Sequence, residues 1–221
     1  MLTRFRNRVE AGRALATLLT KHAQRADMIV LALPRGGVPV AWEAAQALNA
    51  PLDVFVVRKL GVPGHEELAM GAIASGGVRV LNRGVVEGLG IADDVIDAVT
   101  EQELRELERR ERAYRDDRPS PDVRHRTVIL VDDGIATGST MTAAVEALRL
   151  HGAGHIVVAT PTAALSAVRA MQPEVGELVA VMTPADFVAV GQWYEDFSQT
   201  TDEEVRELLR AARRAIRPTV T

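Results

Sequence analysis

Residues 128 to 141 read VILVDDGIATGSTM, and no other stretch limits the fold of this chain so tightly. Val128, Ile129, Leu130 and Val131 form a short continuous apolar run, the pattern of a strand buried on both faces of a parallel sheet. Asp132 and Asp133 stand where that strand ends. Gly134, Gly138 and the hydroxyls of Thr137, Ser139 and Thr140 follow, and Ala143, Ala144, Val145, Ala147 and Leu148 continue as a helix. A helix N-terminus with unpaired backbone N–H groups among small residues is a ready phosphate site. The stretch therefore predicts an α/β unit with an anion-binding turn behind an acidic pair.

A second turn of the same kind lies upstream. Met28 to Leu33 is continuously apolar and ends in Pro34-Arg35-Gly36-Gly37-Val38-Pro39, after which Val40 to Leu48 reads as a helix with Pro39 tolerated in its first turn. Leu52 to Val57 is a further buried-strand candidate, followed by Arg58, Lys59 and a polar, glycine-containing stretch from Leu60 to Leu68. Ala69 to Ala74 and Val78 to Leu81 flank Ser75-Gly76-Gly77 as a hairpin, which outside a parallel core is free to move. From about Ile91 to Arg115 the pattern is helical and heavily charged. Glu101/Arg105, Glu106/Arg110, Glu108/Arg112 and Glu111/Arg115 all stand four apart in the favourable orientation, predicting an exposed helix. Arg118-Pro119-Ser120-Pro121 breaks it.

Downstream, His155 to Thr160 reads as a strand, Thr162 to Gln172 as a helix capped by Thr162 and stopped by Pro173, and Glu177 to Met182 as the last core strand. Thr201 with Glu204 has capping-box spacing and opens a final helix to about Ile216. Residues 8 to 25 carry apolar spacings that fit a packing helix. Strands alternating with helices predict the fold class: α/β, an open, mostly parallel twisted sheet with helices on both faces. We expect a single domain over 1–221, with a helical insertion at roughly 85–117. If strand order reverses between the strands preceding the two glycine-rich loops, both loops face one crevice.

Charge and cysteine content narrow the chemistry. A net charge of -4 supplies no overall basic field, so nucleic acid is not an expected partner. With no cysteine there is no disulfide framework, thiol nucleophile or thiolate metal site. No leader pattern and no bilayer-length apolar run stand out, so a soluble cytoplasmic protein without membrane association is expected. His22, His125, His151 and His155 show no metal-ligand grouping and read as structural.

Four apolar residues, two acids and then Ala136-Thr137-Gly138 closely resemble the phosphoribosyl pyrophosphate signature of the type I phosphoribosyltransferases. A Walker A loop would need a lysine before the Ser/Thr, and a dinucleotide fingerprint would need its glycines where Asp132 and Asp133 stand. The resemblance extends to Pro34-Arg35-Gly36-Gly37 and to residues 58 to 72, RKLGVPGHEELAMGA, and is closest to a group of bacterial proteins with both stretches. It implies a type I fold with a mobile lid near residues 61–77 and a small hood at roughly 184–200 with the termini.

The resemblance also implies roles. Asp132 and Asp133 accept from the ribose hydroxyls, act in catalysis, and lie close to a magnesium ion. Gly134, Ile135, Ala136, Thr137, Gly138, Ser139 and Thr140 hold the 5-phosphate, while Arg35, Gly36 and Gly37 hold pyrophosphate. Arg58 and Lys59 are further catalytic candidates, in a place where the family carries basic residues for pyrophosphate, although cations at a strand end are as readily solvated. His65, Glu66 and Glu67 are either lid residues or a solvated loop. Phe187 is a stacking candidate for the base, in a chain only 4% aromatic.

The implied activity is magnesium-dependent transfer of phosphoribose from phosphoribosyl pyrophosphate to a small nitrogen acceptor, in nucleotide metabolism, with release of pyrophosphate. Ala136 stands where enzymes for 6-oxopurines place an aspartate, which argues against them as the model for the acceptor. A sensor that binds the donor without chemistry remains a competing reading, and a phosphate-binding interaction module is a third. Family members commonly pair, which admits a homodimer without fixing one.

Overall fold

A computed structural model of the chain describes residues 4–23, 25–115 and 118–215. The continuous apolar runs become the centre of a parallel sheet. β1 (Met28–Ala32) and β6 (Thr127–Val131) are buried at every residue, and β2 (Leu52–Val54), β7 (His155–Thr162) and β8 (Glu177–Met182) complete the order β2-β1-β6-β7-β8, all parallel. Because side chains alternate along a strand, each buried strand serves two cores. Val30, Ala32, Ile129 and Val131 join one cluster with α1 (Arg8–Leu19), α2 (Gly37–Leu48) and α7 (Asp202–Ala215). Ile29, Leu31, Val128 and Leu130 join the other with α5 (Ser139–Leu150) and α6 (Leu165–Met171). Helices cover both faces, as expected.

Three further strands, β3 (Val57–Val62), β4 (His65–Ala74) and β5 (Val78–Leu81), form a separate antiparallel sheet in the order β3-β4-β5. The hairpin at residues 75–77 is where the sequence puts it. Two expectations are corrected. The strand read over 52–57 ends at Val54, and Arg58 and Lys59 lie inside β3. The stretch 60–68, read as a polar loop, is mostly strand, with bulges around Gly61 and with residues 65–68 exposed. Exposed strand halves carry no apolar alternation, so sequence patterning does not reveal them.

α3 (Arg83–Leu89) and α4 (Asp93–Arg115) follow the second sheet. All four charge pairs read from the sequence of α4 form, at 2.8, 2.8, 3.9 and 2.5 Å in chain order. The helix is nevertheless not simply exposed. Ile96, Leu107 and Tyr114 are buried on its other face, and Arg115 is 2% exposed. Arg115 donates to Asp53 Oδ1 at 2.9 Å, to Glu111 and to the Val54 carbonyl, tying α4 to β2. Residues 116–117, the end of the expected insertion, lie outside the described residues.

Thr162 is the last residue of β7 and not a helix cap; α6 begins at Leu165 after Ala164, because the hydrogen bond from Ala163 N–H to the Met182 carbonyl prolongs the sheet. The capping box at α7 forms, with Thr201 N–H donating to Glu204 Oε2 at 2.6 Å and Glu204 N–H to Thr201 Oγ1 at 3.2 Å. Its expected last residue, Ile216, lies outside the described residues. The hood region is a loop with one short 3-10 turn, Val190–Trp193, and residue 5 runs alongside it: Phe5 N–H donates to the Trp193 carbonyl at 2.9 Å. Among the described residues no helix is long and apolar enough to cross a membrane.

Candidate active site

Sheet order creates the site. From β1 the chain moves to β2 at one edge, whereas from β6 it moves through β7 to β8 at the other, so β1 and β6 flank the switch point. Loops leaving adjacent strands in opposite directions open a crevice at their carboxyl ends. Leu33 N–H donates to the Val131 carbonyl at 2.8 Å, holding the loops side by side. The peptide bond between Pro34 and Arg35 is cis. A Cβ built on Gly36 would collide with Asp133 Oδ2, and one on Gly37 would lie 2.8 Å from the Val131 carbonyl oxygen and 3.0 Å from Asp132 Cα. The two glycines are thus required by the close approach of the acidic pair, whatever else they bind.

Asp132 Oδ1 accepts from the Asp133 N–H at 2.8 Å, and Asp133 Oδ2 accepts from Arg8 Nε at 2.8 Å. Burial pushes the Asp132 carboxyl well above the usual range, and the neighbouring Asp133 charge adds to it. Burial also raises Asp133, while Arg8 opposes the rise. Two adjacent carboxyls in a crevice, both held above the usual range, make the pair a candidate functional site. The Tyr194 hydroxyl donates to the Asp133 carbonyl at 2.6 Å, and burial pushes this phenol far up. Sequence reading missed both Arg8 and the position of Tyr194. Neither has a local signal, since each reaches the acids only through the fold.

The turn after the acids is pinned at Ile135, whose N–H donates to the Thr162 carbonyl at 2.9 Å and whose carbonyl accepts from Ala164 N–H at 2.8 Å. Gly138 caps α5 at φ +80°, a conformation that side chains other than glycine's rarely adopt. Among the described residues no backbone carbonyl takes the N–H of Ala136, Thr137 or Gly138. Ala136, Thr137, Ser139 and Thr140 are exposed, with the Thr137 and Ser139 hydroxyls 3.0 Å apart. The result is an open concavity of donors at a helix N-terminus, suited to a phosphate. The hood rests on it, because Val190 fills the space beside Gly134 where a Cβ would stand.

The family model of the phosphoribosyl transferase domain matches residues 1–175. The chain belongs to this family. Proteins from two strains of Mycobacterium tuberculosis match it; for the H37Rv strain, under the name "Putative phosphoribosyl transferase Rv0571c", the identity is 48% over 210 residues, 95% of this chain and 47% of the relative. The chain thus spans about half the length of the curated relatives it matches. The crystal structure of TT1426 from Thermus thermophilus is 42% identical, covers 93% of this chain and 97% of that one, and superposes with a TM-score of 0.83.

The other residues singled out in this phosphoribosyl transferase domain divide into those at the site and those held elsewhere. Arg35 reaches across to α7, with Nη1 3.6 Å from Asp202 Oδ1, and stays partly exposed. Lys59 lines a cavity of about 390 Å³ between the antiparallel sheet and α5, which Thr137, Ser139 and Thr140 also line. Its ammonium is 3.7 Å from Glu67 Oε2, and the side chain is about half exposed. Arg58 points away from that cavity to α4, where Nη2 lies 2.6 Å from Glu103 Oε2. The structure therefore brings Lys59 to one cavity with the turn of residues 137–140 and turns Arg58 toward α4. Phe187 stacks on Trp193, with centroids 6.1 Å apart and planes at 29°, so one face of its ring is occupied.

Among the described residues no three His, Asp or Glu side chains converge as a metal cage. Asp132 and Asp133 alone fit magnesium in the way that ion is usually held, by one or two carboxylates together with phosphates and water. One oxygen of each is already engaged within the protein, so the fit requires a ligand that brings most of the coordination itself.

Proposed function

We propose that this domain transfers the phosphoribosyl group of phosphoribosyl pyrophosphate to a nitrogen acceptor, a nucleobase or related amine, with magnesium and release of pyrophosphate, in cytoplasmic nucleotide metabolism. The observation that supports it most is the contact of the Asp132-Asp133 pair with Gly36 and Gly37 at the switch point, beside the donor-lined turn of residues 134–140. A sugar with a phosphate at one end and a pyrophosphate at the other calls for three sub-sites in that order. Residues 134–140 take the 5-phosphate through N–H groups and hydroxyls. Asp132 and Asp133 accept from the ribose hydroxyls and favour the positive charge that builds at C1. Arg35, Gly36 and Gly37 receive the pyrophosphate, and Lys59 faces the donor across the cavity it shares with Thr137, Ser139 and Thr140.

In the step itself, the acceptor nitrogen forms a bond to C1 as the C1–O bond breaks, pyrophosphate departs with the bonding pair, and the nitrogen releases its proton to solvent. Asp132 and Asp133 would hold magnesium together with the donor, where it would neutralise phosphate charge. Ala136 offers no carboxylate to a 6-oxopurine, and Phe187 with Trp193 offers an aromatic surface for a flat acceptor.

The test is pyrophosphate release from the donor with magnesium across a panel of bases and amines, with Asp133→Asn as control. Release with one acceptor, reduced on the order of 10²-fold in the variant, is the expected result. Donor binding without turnover for any acceptor would replace the enzyme with a sensor. Absence of donor binding by calorimetry with magnesium would end both readings.

A further inference from the structure

Arg8 is the first residue of α1, where a cation opposes the helix dipole, so helix stability does not account for it. Its side chain is only 11% exposed and meets Asp133, 12% exposed, from 125 positions away in the chain. Nη1 donates to the Ser198 carbonyl at 2.6 Å, and the guanidinium lies 4.1 Å from the centre of the Phe197 ring and 5.9 Å from that of Tyr194. A Cβ on Gly36 would stand 3.2 Å from Arg8 Nε. The acid pair, the Pro34–Gly37 loop and the hood thus meet at one guanidinium, whose fork geometry fixes orientation in a way an ammonium cannot.

We propose that Arg8 is a positioning residue that, by binding Asp133 Oδ2, turns Asp133 Oδ1 toward a ribose hydroxyl of the donor and locks the hood to the acid pair. This rests on the proposed use of phosphoribosyl pyrophosphate. Arg8 acts through Asp133 and not on the donor, which separates it from a pyrophosphate-binding arginine such as Arg35. The stacking partner Phe197 and the Ser198 carbonyl keep the guanidinium in place when the crevice fills.

The experiment is a double-mutant cycle read by calorimetry with phosphoribosyl pyrophosphate and magnesium, using Arg8→Ala, Arg8→Lys, Asp133→Asn and the two double variants, each with its melting temperature. Arg8→Ala is expected to weaken donor binding roughly tenfold in the wild-type background and less than about twofold in the Asp133→Asn background. Arg8→Lys, which keeps the charge and tests a variant that folds more readily, is expected to recover part of the loss in the wild-type background only. Equal losses in both backgrounds, or none in either, would overturn the proposal while leaving the donor assignment intact. A wild-type protein that does not bind the donor would overturn the donor assignment and this role with it.

Discussion

Gly36 and Asp133 constrain each other more tightly than any other pair in the crevice, because a methyl group at 36 would occupy the place of a carboxylate oxygen. Gly36→Ala is expected to lower stability by about 1–3 kcal/mol and to weaken donor binding, since either the loop or Asp133 must move. Thermal melts and calorimetry check both effects, and an alanine variant with unchanged melting and affinity would show that the loops are not in contact. The two basic neighbours in β3 are expected to part company as well. Lys59→Ala should raise the KM for the donor without much effect on melting, while Arg58→Ala should lower the melting temperature by releasing Glu103 with little effect on KM. A larger KM effect from Arg58 would reverse the assignment. Adjacent strand residues point to opposite faces, so sequence can say that one of two cations faces a ligand, but which one depends on what covers each face.

At the scale of elements, α4 shows how charge patterning can be read correctly and still mislead. Its four-apart pairs are real, yet Arg115 of the fourth is buried, and Ile96, Leu107 and Tyr114 of the same helix lie in the core. Removing an outer pair by Glu101→Ala should change stability by less than about 0.5 kcal/mol, as exposed pairs are screened. Arg115→Ala should cost about 3–5 kcal/mol in urea unfolding, because Asp53 and Glu111 would be left partly buried without their cation. Comparable effects from the two changes would mean that Arg115 is not the link between α4 and β2. The antiparallel sheet was only half legible for a different reason. Residues 65–68, at the start of its central strand β4, are exposed, so neither a buried run nor an alternation marks them.

For the whole molecule, a donor bound across the loops of β1 and β6 should couple ligand binding to global stability, because both strands lie in the middle of the sheet. At a free donor concentration about 100 times Kd with magnesium, the domain is expected to gain about 2.7 kcal/mol and a matching rise in melting temperature. Scanning calorimetry measures it, and a melting temperature unmoved by saturating donor would contradict binding at this crevice. The strands of the parallel sheet, the glycine-rich turn between β6 and α5 and the capping box of α7 were readable along the chain, because each is decided by neighbours within a few residues. The partnership of Arg8 with Asp133, the pressure of Gly36 on the acids and the choice of Lys59 over Arg58 as the side chain facing residues 137–140 were not. They depend on which strands become neighbours, and β1 and β6 are brought side by side from distant parts of the chain by burial on two faces, which a continuous apolar run demands without naming the partner.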